Sequence, residues 1–466
     1  MSFSSNTFLF AFLPLTLLGY YLIRKDLRNL FLLVASLVFY AWAEIRAVPV
    51  LVGVILLSYL AALLMDRAPK GLPRRLLLVT VVLGDIAILG YYKYTNFFIE
   101  ILNSVTGRDF AARSILLPVG ISFFVFQSIS YLVDVYREKV KPTRNLIKAS
   151  LYFAMFPKLT QGPIMRYGDM EGELDSRNVD VQVFSDGIQR FIIGLTKKLL
   201  IADQLGGVAD SIFDLGLQGL STPLAWGGII AYTLQIYFDF SGYSDMAIGL
   251  ARMFGFHLME NFNYPYIATS ITDFWRRWHI SLSSWFRDYL YIPLGGNRRG
   301  NKYVNLFIVF LATGIWHGAA WTFVVWGVYH GVIRILEGLL EKPRSMIPKP
   351  VSWMTTMLLV MVGWVFFRAA DLQTAVGYIA TMFGLRRGMA VQFTLRWFYD
   401  GKIVLIMGIA LLAMLPWKQL FPKAAEALDG TYLALTVKYT TMLVMLAVCV
   451  VLAMTSTYTS FIYFRF

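Results

Sequence analysis

The chain has 466 residues, 58% of them hydrophobic and only 15% charged, with a mean hydropathy of +0.60. Soluble proteins carry about 25% charged residues, so a soluble globular enzyme is excluded. The formal charge of +14 sits in short loops between apolar runs, not in a solvated nucleic-acid-binding domain, and the single cysteine, Cys449, rules out an intrachain disulfide or thiolate metal cluster.

In chain order, residues 7–23 form a first apolar segment followed by Arg24, Lys25 and Arg28. Its basic residues come after the apolar core, the reverse of a secretory signal. The expectation is a retained helix with its N-terminus outside the cytoplasm. Residues 29–42 return outward, 48–65 come back to Arg67, Lys70, Arg74 and Arg75, and 76–92 lead outward again. This alternation follows the positive-inside rule.

A short amphipathic piece at 96–105 is expected in the interface before 115–136 crosses inward to Arg137, Lys139, Lys141, Arg144 and Lys148. Residues 150–166 carry Pro157, Lys158, Gln161 and Pro163 within an apolar run. Such groups are tolerated at membrane depth where the backbone faces protein or a wet cavity, which predicts a broken or re-entrant helix. The alternative is an ordinary kinked helix with Lys158 snorkelling. Residues 167–183 read as a polar, acidic loop, and 184–202 as an amphipathic segment with Lys197 and Lys198 adjacent. A span at 224–240 runs into Asp239 and Asp245, which either form a carboxylate dyad or cap a helix and pair with arginines.

Residues 270–331 hold three of the four histidines, His279, His317 and His330, with six of the twelve tryptophans. Two segments, 303–320 and 321–340, must fold back on each other, because Lys302 and Arg334 both favour the cytoplasm. That places His317, in GIWHGAAW, at or above the bilayer midplane beside a Gly-Ala turn. A histidine within a span is a functional-site hypothesis by default. A buried neutral imidazole suits general-base work on a hydroxyl; the competing reading is a structural histidine bonded to a carbonyl.

His279 follows WRRW, and i,i+4 spacing puts Trp275 and His279 on one face of an interfacial helix. His330 is expected to approach His317 across the hairpin, while His257 looks unremarkable. No H-x₃-H or H-E-x-x-H spacing occurs, so no metal site is expected. Arg276, Arg277, Arg287, Arg298, Arg299 and Lys302 surround LGGNRRGNK, where arginine forks and exposed glycine amides would suit nucleotide phosphates, although the positive-inside rule predicts much the same composition.

Beyond this, 351–367 spans, 368–401 is looser, and 403–417 and 439–455 are apolar, before an aromatic tail, STYTSFIYFRF, expected to anchor in the interface. The sum is one domain over residues 1–466 with about eleven to fourteen hydrophobic segments.

The motifs LLPVGISFFVFQSISYLVDVYR, FPKLTQGPI, YFDFSGYSDMAIGLARMFGF, ENFNYPYIATSITDFWRRWHISLSSWFRDYLYIPLGGNRRG and GIWHGAAWTFVVWGVYHG, with the opening FSSNTFLFAFLPL, resemble the membrane-bound O-acyltransferase superfamily, in its bacterial alginate O-acetyltransferase branch. They extend from the N-terminus to about Phe367; the last hundred residues match loosely.

The resemblance implies an all-α polytopic transmembrane bundle, with broken and interfacial helices around a thinned central tunnel. It implies a catalytic histidine at His317 and a second, less settled one at His279. It further implies acetyl transfer from cytoplasmic acetyl-CoA, with no tightly bound cofactor, to an extracytoplasmic hydroxyl for exopolysaccharide O-acetylation. The expected setting is the bacterial inner membrane, with lipids and a periplasmic acetyl-accepting or polysaccharide-modifying protein as partners. Peptidoglycan O-acetylation and D-alanyl transfer to teichoic acid are the alternatives within the family. A polysaccharide-precursor transporter would need repeat symmetry, and a scaffold would leave Pro157–Pro163 and His317 unexplained.

Overall fold

The computed structural model describes residues 2–340, 346–428 and 430–455, and their regular structure is helical without strands. The polytopic all-α expectation therefore holds. Contacts group the chain into two units, Met1–Phe191 with Met246–Met259, and Ile192–Asp245 with Glu260–Phe466.

The first unit contains α1 (Leu13–Leu22), α2 (Arg28–Glu44), α3 (Val48–Arg67), α4 (Leu72–Thr106), α5 (Ile121–Tyr136), α6 (Leu146–Ala154), α7 (Phe156–Leu159), α8 (Tyr167–Asp175) and most of α9 (Val181–Thr196). Phe8, Phe39 and Phe156 form its aromatic heart, with ring centroids 5.5 to 6.2 Å apart.

Three expectations need correction here. Residues 76–92 and 96–105 are one 35-residue helix, α4, because nothing between Tyr92 and Asn96 breaks the backbone ladder. It stops only at Gly107, in the left-handed region with φ 67°. At 1.5 Å per residue it is about 52 Å long, well beyond a ~30 Å hydrocarbon core. The segment expected from 115 becomes helical only at Ile121, after Pro118 and after Gly120 at φ 78°. The acidic stretch read as a loop contains α8; its apolar residues Tyr167, Met170 and Leu174 recur at helical spacing and are buried.

Residues 150–166 are broken, as expected. α6 ends at Ala154, Met155 leaves helical geometry at ψ 112°, and Pro157 opens the single turn of α7. Lys158 does not snorkel. It is fully buried, donates to Gln127 Oε1 at 2.6 Å and to the Tyr152 carbonyl, and its Nζ stands 4.7 Å from the Tyr152 ring centroid.

The second unit contains the end of α9, which runs through a π-helical turn, Lys197–Ala202, into α10 (Asp203–Phe213). After the short α11 (Gly216–Gly219) come α12 (Thr222–Met253), which belongs to this unit as far as Asp245, α13 (Ile271–Arg277), α14 (Ile280–Phe286), α15 (Lys302–His317), α16 (Trp321–Leu339), α17 (Lys349–Arg368) and α18 (Leu372–Met382). Residues 456–466, the whole of the aromatic tail, lie outside the described residues. By length and composition, Lys25–Arg67, Lys349–Arg368 and Tyr432–Thr455 are the described stretches long and apolar enough to cross a membrane.

The α15–α16 hairpin depends on two glycines. A Cβ on Gly314 would stand 2.5 Å from the Phe323 carbonyl oxygen, and one on Gly327 would stand 2.6 Å from that of Phe310. Real Cβ atoms do not approach so closely, so the helices pack here backbone to backbone. Gly327→Val should therefore destabilise the protein by about 1–3 kcal/mol, seen as a lower melting temperature in detergent. Gly408→Ala, where a Cβ meets nothing within 4 Å, should leave the melting temperature unchanged or slightly raised.

Candidate active site

The hairpin of α15 and α16 brings His317 and His330 to one aromatic row. His317 is the last residue of α15, is buried, and its ring packs edge-on against Trp316, Trp326 and Phe367 with centroids 4.9, 5.1 and 5.1 Å away. Trp326 then meets His330 at 4.9 Å, and His330 meets Trp275 at 5.2 Å. The two histidines thus share Trp326 as a common wall, which is how they come near each other across the hairpin. Trp316 in turn lies 6.2 Å from His279, which packs against Phe240 at 4.6 Å. The three histidines are joined by indole rings, and among the described residues no cluster of metal-ligating side chains occurs.

The expectation that Trp275 and His279 share a helical face is corrected. α13 ends at Arg277, and His279 takes the left-handed conformation, φ 46° and ψ 52°, before α14 begins. Asn261 sets this kink. Its Oδ1 accepts from Ser281 N at 3.1 Å, Ser281 Oγ at 2.9 Å and His279 Nδ1 at 3.2 Å, while its backbone carbonyl accepts from Ile280 N. With Oδ1 as acceptor, His279 Nδ1 carries the hydrogen and Nε2 the lone pair. The kink aims the imidazole at Trp316. The start of α13 is held by Glu337 of α16, whose carboxylate accepts from the amides of Ile271 and Thr272 at 2.9 and 2.8 Å.

The arginines fall into two groups. Arg276 is exposed, whereas Arg277 gives its Nε to both oxygens of Asp273 at 2.9 Å. Arg298 and Arg299 are exposed on a tight turn built by Gly295 at φ 114° and Gly296 at φ 57°. The idea of exposed glycine amides there is overturned. The Gly295 and Gly296 amides donate to the Ile292 and Tyr291 carbonyls at 3.0 and 2.9 Å, closing the turn on itself. What faces solvent is guanidinium, not backbone N–H.

Asp239 and Asp245 are neither a dyad nor caps, and each of them meets a lysine. Both lie inside α12. Lys198 Nζ stands 2.6 Å from Asp239 Oδ1 and 2.7 Å from Asp203 Oδ1, all three side chains being at most 2% exposed, and Lys197 Nζ donates to Asp245 at 2.6 Å. The sequence carried this signal in the adjacent lysines. Their shared partnership was hidden because it joins residues some forty positions apart through the π-helical turn.

A model of the membrane-bound O-acyltransferase family matches residues 6–368, ending where α17 ends. The chain belongs to that family. It is thus a membrane-embedded acyltransferase. It is 50% identical over 395 residues to a probable alginate O-acetylase, AlgI, of Pseudomonas putida, covering 82% of this chain and 80% of that protein. It is 38% identical over 421 residues to a peptidoglycan O-acetyltransferase of Helicobacter pylori, covering 82% and 80%. Its likeness to a teichoic acid D-alanyltransferase of Bacillus subtilis is thinner, 28% over 268 residues, covering 53% and 66%.

Removing the cation of the buried triad would leave two carboxylates without it. Lys198→Met should cost about 3–5 kcal/mol, measured by thermal unfolding in detergent. Lys198→Met combined with Asp203→Asn and Asp239→Asn should recover much of the loss, because the two carboxylate charges are removed together with the cation.

Proposed function

We propose that the chain transfers acetyl from cytoplasmic acetyl-CoA, across the bacterial inner membrane, to a hydroxyl of an extracytoplasmic acceptor that serves exopolysaccharide O-acetylation. The observation that carries the reading is His317, buried among Trp316, Trp326 and Phe367 at the tip of a glycine-packed hairpin, in a family of O-acyltransferases. The name and 50% identity of the Pseudomonas relative favour alginate or a similar polymer over peptidoglycan, whose relative is 38% identical.

In this reading His317 takes the acceptor hydroxyl proton as the oxygen attacks the thioester carbonyl. The C–S bond breaks, and the proton passes to the departing thiolate, so the reaction needs no redox partner. The Trp316 indole N–H or a backbone amide steadies the oxyanion. Passing only the acetyl group spares the donor's phosphates an entry into hydrocarbon. Those phosphates would rest on Arg276, Arg298 and Arg299, with Arg277 engaged by Asp273. His279, oriented by Asn261, would position Trp316. The acetyl group would leave through a periplasmic acceptor protein, with the N-terminus on that same side.

His317→Ala should lower acetyl transfer by roughly 10²–10⁴-fold while membrane insertion and melting temperature stay near wild type. Unchanged polymer acetylation in that variant would refute the assignment. Arg298→Gln with Arg299→Gln should weaken acetyl-CoA binding, with the remaining affinity less sensitive to salt. Unaltered affinity in a titration would reduce these arginines to topology signals.

A further inference from the structure

The first unit contains a second cationic feature that the proposed reaction does not use. A cavity of about 420 Å³ is lined by residues from three places, the α1–α2 junction with the first residue of α2 (Lys25, Asp26, Arg28), the start of α6 (Lys148) and the end of α8 with the stretch after it (Asp175, Arg177). Its charges do not cancel. Lys148 is paired with Asp175, and Asp26 with Arg24 outside the lining. Lys25, Arg28 and Arg177 have no carboxylate partner among the described residues.

The two guanidiniums are held in place without being satisfied. Arg28 lies over the Tyr20 ring at 4.9 Å and the Tyr21 ring at 5.6 Å, and its buried Nε has no hydrogen-bond partner among the described residues. Arg177 stacks on Phe256 at 4.3 Å and stands 5.6 Å from Tyr20. Its Nε donates to the Tyr20 hydroxyl at 2.9 Å and the Phe254 carbonyl at 3.0 Å, and its Nη1 to Asn29 Oδ1 at 2.7 Å. That leaves Nη2, buried and without a hydrogen-bond partner among the described residues. Aromatic faces and backbone carbonyls fix these planes at little entropic cost while neutralising none of their charge.

Leaving buried donors of a charged group unmet is costly, so such groups normally have a partner. A planar fork with spare N–H groups beside a second guanidinium matches the spacing of phosphate oxygens. We propose that this cavity is a binding site for a phosphate-bearing ligand, seated between Arg28 and Arg177 with Lys25 at its rim. The chemistry is shared by two sources, the headgroup of an anionic phospholipid and the nucleotide phosphates of a thioester donor. Only the second rests on the acetyltransferase reading. Lysine and arginine clusters beside apolar helices are well suited to the first.

The test titrates inorganic pyrophosphate into the full chain in phosphatidylcholine nanodiscs, using the Arg298→Gln/Arg299→Gln protein as parent so that the exposed turn contributes nothing. The parent should bind one equivalent. Arg28→Gln should bind about tenfold more weakly, since one charge-assisted contact is lost. Among the described residues Arg28 makes no hydrogen bond and loses only its contacts with the Tyr20 and Tyr21 rings, so this variant should remain folded with a melting temperature close to the parent's. Asp175→Asn should bind more tightly by removing a negative charge from the wall, a change of sign that a purely structural role would not produce. Equal affinity in the parent and Arg28→Gln, or no binding at millimolar pyrophosphate, overturns the proposal. The source follows from displacement: phosphatidylglycerol in the nanodisc abolishing pyrophosphate binding identifies a lipid headgroup, and acetyl-CoA doing so identifies the donor. Displacement by neither overturns the site as a phosphate-ligand site.

Discussion

Hydrocarbon offers a buried polar group no water, and the rest of this structure depends on that constraint. Hydroxyls in the helices turn back on their own backbone, Ser36 to Leu32, Thr196 to Ile192, Thr233 to Ile229, Thr313 to Val309 and Thr356 to Ser352, each within 2.7 to 2.8 Å. Charged groups are gathered instead into compact sets, as where Lys198 meets Asp203 and Asp239. Asp85 is served by the hydroxyl of Ser128, itself 2.6 Å from that of Ser58, so three helices share one polar seam. An apolar chain with only 15% charged residues thereby places charge deep inside itself without scattering it.

Where polar groups are gathered, the helices deviate from regularity. The π-helical turn at Lys197–Ala202 inserts the extra residue that places Lys198 and Asp203 on one side, and the break at Met155 turns Lys158 inward to a carbonyl and a carboxamide. The left-handed kink at His279 is a third case, imposed by Asn261. Each is a local backbone cost carried by a side chain of particular chemistry, the pattern expected of sites under functional demand.

The aromatic row from Phe240 through His279, Trp316, His317 and Trp326 to His330 needs two further conditions. α15 and α16 must approach backbone to backbone, which Gly314 and Gly327 permit, and α13 must be tied to α16, which Glu337 achieves. A rigid wall of indoles holds an imidazole in one orientation while excluding water, a requirement for a base acting on a hydroxyl.

Much of this was legible in the amino-acid sequence. Hydropathy and charge spacing located α2, α3, α15, α16 and α17 to within a few residues, because long apolar periodicity with basic ends is a local property. The FPKLTQGPI break was equally readable, since proline and polar groups in an apolar run oppose a continuous helix wherever they occur. The W-H-G and R-R-W-H-I-S-L elements likewise pointed to the family and to its histidines. What only the tertiary structure decided depends on distant partners. The continuity of α4 through YKYTN required knowing that no neighbour interrupts it. The side chain of Asn261, eighteen positions away, overrode the helical spacing between Trp275 and His279. Asp239 and Asp245 found lysines on a helix about forty residues earlier, and the glycine amides of LGGNRRG were consumed inside their own turn. Local pattern sets where helices form; which polar atoms are already satisfied, and hence which remain for a ligand, is decided by packing alone.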